Sequence, residues 1–302
     1  MKIARAAALC AASIGTVGLG CLTYAATVEV ERFTLRHVTV PVLPSDHDPV
    51  RILHISDLHL LTTQAKKIAW VQALADLKPD FVVNTGDNIA QPEALNALVQ
   101  ALRPLSGTPG VFVFGSNDVY GPRPLNPLAY FTAHTFSHAR ATMPTPALRL
   151  VLEKCGWTFV EQVTTTFELN GSVIEVRGCG DAHMDADDYP RVEGPLSPDV
   201  DLLMGVTHAP YQRVLDAMTM DGAGLIMAGH THGGQVCLPG GRALTTNCDL
   251  PVSQVKGLST HRVDDHESFL HVSAGLGTSP YAPYRFFCPP EATVVTLVAR
   301  QN

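Results

Sequence analysis

Five short apolar runs, each ending in a polar group able to hold a metal ion, constrain this chain more than any other feature. RILHIS precedes Asp57-Leu58-His59, FVVNT precedes Gly86-Asp87-Asn88, and VFVF precedes Gly115-Ser116-Asn117-Asp118. LLMGVT precedes His208, and LIMA precedes Gly229-His230-Thr231-His232-Gly233-Gly234-Gln235. Short apolar runs bounded by turn signals read as buried strands. The first three, Arg51–Ser56, Phe81–Val83 and Val111–Phe114, are separated by helical spacing over Lys66–Leu77 and Pro92–Leu102. A strand–helix alternation of this kind predicts a layered α/β domain. In such a sheet the strand ends converge on one crevice.

The rest of the chain continues the theme. Thr165–Leu169 and Ser172–Arg177 flank Asn170-Gly171, the favoured turn of a β-hairpin. Ala147–Lys154 reads as a short helix, and Leu202–Val206, Tyr211–Met218 and Leu225–Ala228 as strand, helix and strand. Phe269–Val272 and Ala292–Val298 are strand-like. Gly121–Pro146, rich in Pro and His, reads as a long surface insertion. No internal repeat is present, and nothing divides residues 50–302 into two domains.

The N-terminus differs. Residues 6–26 carry no charge, and about 20 helical residues span roughly 30 Å, the hydrocarbon core of a bilayer. Lys2 and Arg5 precede this segment, so it is expected to anchor the chain in the cell membrane as a single pass, with the remainder extracytoplasmic. Thr23-Tyr24-Ala25 leaves open a cleaved signal peptide, which would release the chain as a secreted protein. Residues 27–49 read as a connector whose FTLRHVTVPVL stretch suits an edge strand.

Composition excludes several functions. The net charge is −7 and no basic run exists, which argues against a nucleic-acid partner. None of the 7 cysteines forms a CxxC pair, so a cysteine zinc ribbon and a thioredoxin-type motif are out. Cys237 and Cys248 bracket a Pro-Gly-Gly turn, as a disulfide of an oxidising compartment or as free buried thiols.

The donors at the strand ends are carboxylate, imidazole and amide, a set suited to Mn, Zn, Fe or Co. Asp-x-His and His-x-His place two donors two residues apart, and on a strand such residues face one side. Gly86, Gly115 and Gly229 permit tight turns and close backbone approach.

In this order, the five blocks resemble the calcineurin-like metallophosphoesterase superfamily. Gly-His-Thr-His-Gly-Gly-Gln-Val, Gly275–Ser279, Arg285 and Pro290-Glu291 resemble its YkuE-like, membrane-associated bacterial branch. The resemblance covers roughly Val50–Val298 and implies a four-layer α/β/β/α sandwich of two mixed sheets. It also implies two divalent metal ions. Asp57, His59 and His232 would hold one, His208 and His230 the other, and Asp87 would bridge them. Two ions ~3.5–4 Å apart share a hydroxide that attacks phosphorus. The implied enzyme is a dinuclear phosphoesterase that hydrolyses a phosphomonoester, phosphodiester or pyrophosphate bond, of a small molecule or of a lipid or envelope substrate.

The third block departs from the family pattern, which is Gly-Asn-His-Asp. Here Ser116 stands at the ligating Asn and Asn117 at the His that serves the leaving group. A small backbone shift lets Asn117 supply the amide oxygen, so Asn117 joins Asp87 as a catalytic candidate. No imidazole remains in the block; His54, His134, His138 and His183 are candidate substitutes, and a substrate with a good leaving group needs one least. A metal-binding pseudoenzyme that acts as a scaffold is the alternative. Asn84 and Asn88 are candidates for orienting Asp87; Ser116, Asn88 and Arg285 are candidates for supporting the ligands or touching substrate, Arg285 by binding a phosphate oxygen, with an ion pair to Glu291 or another acid as its structural alternative.

Overall fold

The computed structural model describes residues 2–124 and 141–300. Helix α1 (Lys2–Thr27) precedes strands β1 (Thr34–Leu43) and β2 (Val50–Ile55), helix α2 (Ala65–Ala73), strand β3 (Phe81–Asn84) and helix α3 (Leu95–Leu102). Strand β4 (Gly110–Phe112), helices α4 (Ser116–Val119) and α5 (Thr145–Lys154), and strands β5 (Trp157–Phe159), β6 (Thr164–Leu169), β7 (Ser172–Gly178) and β8 (Leu202–Val206) follow. Helix α6 (Gln212–Met220) and strands β9 (Leu225–Ala228), β10 (Gly257–Val263), β11 (His266–Val272) and β12 (Glu291–Ala299) complete the described chain.

The strands form two six-stranded mixed sheets, ordered β1-β12-β2-β3-β4-β5 and β10-β11-β9-β8-β7-β6. Strand alternation explains how they stack, because successive side chains point to opposite faces. Ile52, Phe81, Val83 and Val111 face inward and meet Ile174, Val176, Met204, Val206 and Met227 of the other sheet. Their neighbours Leu53, Ile55, Val82 and Phe112 face outward and pack under α2, α3 and α5 through Val71, Leu98, Leu102, Leu148 and Leu152. On the far side Leu203, Ile226 and Leu270 take Val214, Leu215 and Met218 of α6. Each large apolar side chain buried in this way contributes about 1.5–3 kcal/mol.

The helix expected over Lys66–Leu77 is split. Helix α2 ends at Ala73, a 3-10 turn runs over Leu74–Leu77, and Lys78 closes it at φ 48°. Strands β5 and β10 have no counterpart in the sequence reading. The first has only three residues, and the second is an edge strand with little apolar alternation, burying only His261. The insertion expected over Gly121–Pro146 falls largely outside the described residues. Its ends meet where Gly121 N–H donates to the Ala141 carbonyl at 2.7 Å.

Among the described residues no helix is long and apolar enough to cross a membrane. Helix α1 leaves the domain with Val17, Leu19 and Leu22 exposed. Its last turn is fastened to the domain. Arg285 N–H donates to the Ala25 carbonyl at 3.0 Å, and the Tyr24 ring stands edge-on to Phe286 at 6.3 Å.

Candidate metal centre

The parallel strands β2, β3, β4, β8 and β9 deliver their carboxyl ends to one crevice between the sheets. Two donor groups meet there, each within 4.8 Å: Asp57, His59 and His232, and Asp57, Asp87 and His208. All five of these residues are buried. Asp57 Oδ1 lies 3.6 Å from His232 Nε2, and Asp87 Oδ2 lies 3.4 Å from His59 Nε2 and 3.7 Å from His208 Nε2. His230 stands outside both groups, with its ring 5.2 Å from that of His208.

Strand alternation does not bring these donors together. Asp57, His59, Asp87, His230 and His232 all adopt positive φ, between 40° and 68°. The chain turns left-handed as it leaves each strand, and that turn aims the side chain into the crevice. Glycine is required where backbone crowds the donors. A Cβ on Gly115 would stand 2.6 Å from His208 Nε2 and overlap Asp87 Oδ1, and one on Gly229 would stand 2.6 Å from Asp57 Oδ2.

Hydrogen bonds fix the donors in forms that fit metal ions. His208 Nδ1–H donates to the Thr85 carbonyl at 2.5 Å, so Nε2 faces the crevice. Asp57 Oδ2 accepts from the Ser56 hydroxyl at 2.5 Å and from His230 N–H at 3.0 Å. Asp57 Oδ1, His208 Nε2 and His230 Nε2 are buried without any hydrogen-bond partner. Buried polar atoms left without a partner are costly, and a cation would satisfy all three. His59 Nε2 and His232 Nε2 face each other at 3.2 Å, which suits two lone pairs directed at one ion. The donor set therefore fits two divalent ions. One would take Asp57, His59 and His232, the other His208 and His230, and Asp87 lies between.

The third block lies against the bridging position. Asn117 N–H donates to Asp87 Oδ1 and its amide to Asp87 Oδ2, both at 2.7 Å. A half-turn of that amide would bring its oxygen to the same position. Ser116 lines the same cavity, 3.4 Å from the Asn117 amide nitrogen. Asp118 accepts the N–H groups of Asp87 and Asn88 at 2.7 Å each and so ties the third block to the second. Asn88 and Asn84 serve the same scaffold. Asn88 Nδ2 donates to Asp118, Asn84 Nδ2 donates to Asn88 Oδ1, and Gly86 N–H donates to Asn84 Oδ1. Neither asparagine side chain hydrogen-bonds Asp87.

The candidate substitutes for the missing imidazole separate clearly. His183 lines the cavity, with its ring 4.6 Å from that of His230. His54 lies deep between the sheets, hydrogen-bonded to His271 at 2.8 Å and to Thr85 at 3.0 Å. His134 and His138 fall outside the described residues.

Arg285 takes neither the phosphate contact nor the pairing with Glu291; as the candidate support for a ligand, it stands behind the centre, 3.3 Å from His232 Nδ1. It does not line the cavity, and Glu291 pairs instead with Arg36 at 3.1 Å. Its guanidinium is fully buried and donates to the carbonyls of Ala274 and Gly277 at 2.7 Å and of Gly275 and Cys288 at 3.2 Å. Gly277 also accepts from His232 Nδ1 at 3.1 Å, so Arg285 positions a loop that holds a metal-ligand candidate. The Cys237–Cys248 disulfide does not form; all the described cysteines are free.

Asp181 was missed. It follows β7 as the polar group of a sixth strand end, is buried, and has an unpartnered Oδ2. The signal was available in Cys179-Gly180-Asp181, directly after the hairpin.

Burial and neighbouring charge set the protonation of the donors. Burial pushes His59 down to about 4 and holds His230 and His232 well below the usual histidine range, so these three are neutral and ready to bind. Burial also raises Asp57 to about 6. Burial lowers His208 too, but the Asp87, Asp181 and Asp57 carboxylates outweigh it and raise the ring to about 10. Ligand nitrogens must be deprotonated to bind. Loading the metal-free protein at pH 7 is therefore expected to release about one proton per chain, from His208. Release should fade above pH 10 and increase below pH 6, where Asp57 also carries a proton. Metal uptake at pH 7 with no dye-detected proton release in weak buffer would contradict this.

The centre opens into a cavity of about 370 Å³. Its lining is largely apolar away from the donors, with Val236, Leu244, Ala282, Tyr281 and Tyr284, and it includes Arg123.

The profile of the calcineurin-like phosphoesterase family matches residues 50–234. The chain is 27% identical over 300 residues to the uncharacterized metallophosphoesterase YkuE of Bacillus subtilis (strain 168), covering 94% of each. It is also 27% identical over 193 residues to YpbG of the same organism, covering 62% of this chain and 63% of that one. Purple acid phosphatase PPD1 from yellow lupin (Lupinus luteus) seeds superposes with a TM-score of 0.42 at 12% identity, over 63% of this chain and 39% of its own. The chain belongs to the calcineurin-like phosphoesterases, metal-dependent hydrolases of phosphoric esters, and to their YkuE-like branch.

Proposed function

We propose that the protein is a membrane-anchored, extracytoplasmic phosphoesterase acting on a substrate with a good leaving group, such as a pyrophosphate or an activated diester of a lipid or envelope precursor. The observation that carries the reading is the convergence of two buried donor groups whose unpartnered atoms face one crevice. Bound divalent ions lower the pKa of water and neutralise the phosphoryl charge. The chain's own residues supply geometry. Thr85 fixes the tautomer of His208, Ser56 and the His230 backbone orient Asp57, and Asn117 steadies Asp87.

Substrate choice follows from the third block. With Asn117 in place of an imidazole, that block supplies no proton to the leaving group, and general acid help is worth ~10²–10⁴-fold. The apolar cavity wall favours a substrate with a hydrophobic part. The uncharged stretch over residues 6–26 and the exposed Val17, Leu19 and Leu22 support anchoring by α1. Its fastening to the Arg285 loop would keep the site near the bilayer surface.

The test uses the full-length protein in detergent, loaded in turn with Mn, Zn, Fe or Co. Aryl phosphomonoesters and diesters and a lipid-linked pyrophosphate are expected to turn over, with alkyl esters slower by ~10²-fold or more. Stoichiometric metal binding with no hydrolysis of any of them would support the scaffold alternative instead. Alkaline extraction of membranes tests the anchor, and release of the intact chain would overturn it.

A further inference from the structure

A second chemical feature lies beneath the metal centre. Cys237 and Cys288 are both buried, and their thiols hydrogen-bond each other. Both sulfurs also reach the Gly233 carbonyl, at 3.3 and 3.5 Å, and both lie against Lys256 Nζ, at 3.4 and 3.5 Å. The two backbones run side by side, since Cys237 N–H donates to the Phe286 carbonyl at 2.8 Å. The sulfurs sit directly under the surface. Their chain neighbours Leu238 and Phe287 are exposed, and Leu238 opens a small turn in which its N–H donates to the Arg242 carbonyl at 2.8 Å.

We propose that Cys237 and Cys288 are a disulfide-forming pair that locks the segment bearing His232 to the segment bearing Arg285. The oxidant is a disulfide, either of a thiol–disulfide oxidoreductase or of a low-molecular-weight thiol. One cysteine, as thiolate, attacks a sulfur of that disulfide, forms a mixed disulfide and expels one thiol. The second cysteine then attacks the first, forms the internal S–S bond and expels the other thiol. Two protons and two electrons leave the protein, and the oxidant becomes two thiols. The bond would close a long loop, which disfavours the unfolded chain. It would also brace the Gly233 backbone beside a metal-ligand candidate. The proposal does not depend on the phosphoesterase reading.

The test treats reduced full-length protein with oxidised glutathione, then denatures and alkylates it. The expected result is a mass lower by about 2 Da than the reduced chain before alkylation, and a linked pair of peptides containing Cys237 and Cys288. The oxidised protein should melt about 5–10 °C higher than the reduced one and lose metal to a chelator more slowly. Cys237→Ser and Cys288→Ser should each abolish the link, whereas Cys248→Ser should leave it intact. Peptide mapping of the wild-type chain decides the matter even if a serine variant fails to fold. Full alkylation of both cysteines, glutathione adducts alone, or a link to Cys248 would overturn the proposal.

Discussion

Asp87→Asn is expected to lower phosphoester hydrolysis by more than about 10³-fold, beyond the 10²–10³ typical of losing one electrostatic contact. Asp87 is the carboxylate between the two donor groups, within 3.7 Å of both His59 Nε2 and His208 Nε2. Its amide analogue keeps the shape and removes the negative charge that offsets two cations. The loss should fall on kcat, and metal content after gel filtration should drop below that of the wild type. The fold should survive, since the Asp87 backbone remains bound to Asp118. Activity within tenfold of the wild type would remove Asp87 from the centre.

Arg285→Met is expected to be the most destabilising single change outside the ligands. Four carbonyls lose a donor in a place no solvent reaches. Gly275 and Gly277 keep the Glu291 N–H and His232 Nδ1–H as donors, while Ala274 and Cys288 are left unsatisfied at about 1–3 kcal/mol each, so the variant should lose about 4 kcal/mol and melt about 10 °C lower. The effect should spread to the centre. The Gly277 carbonyl that accepts from His232 is the same one Arg285 holds, and losing such outer support weakens metal affinity by about 10–100-fold. Arg285→Lys should not rescue it, because one ammonium cannot span the positions of a planar guanidinium. Thermal denaturation and metal titration read both effects, and an unchanged melting temperature would contradict the argument.

The apolar runs made the sheets and the crevice legible, because burial on both faces leaves little choice of residue in a central strand. The donors after β2, β3, β8 and β9 were legible for the same reason: the polar residue that ends each run stands out. Asp181 was lost because β7 belongs to a hairpin, whose alternating pattern hides where the strand ends. Arg285 was legible as a candidate support for the site, but its hold on four backbone carbonyls has no sequence signature. The pairing of Cys237 with Cys288 was invisible because their segments lie side by side only in the folded chain. The cavity wall at Tyr281, Ala282 and Tyr284 belongs to a stretch without periodicity, so no pattern placed it in one cavity with His59. The i, i+2 argument placed Asp57 with His59 for the wrong reason, since both are left-handed, and it failed for His230, which stands outside the group that holds His232.

That left-handed geometry has a consequence for how freely the protein can vary. Each non-glycine residue held there costs about 1–3 kcal/mol, while a whole domain is stable by only about 5–15 kcal/mol. Five such residues gathered at one crevice make the centre a place where the chain would fold better with other residues. Glycine at His59 or His230 would relax the backbone and remove a donor in the same step. Selection for stability alone would therefore erode this centre, and these side chains persist only while the ions they hold remain useful.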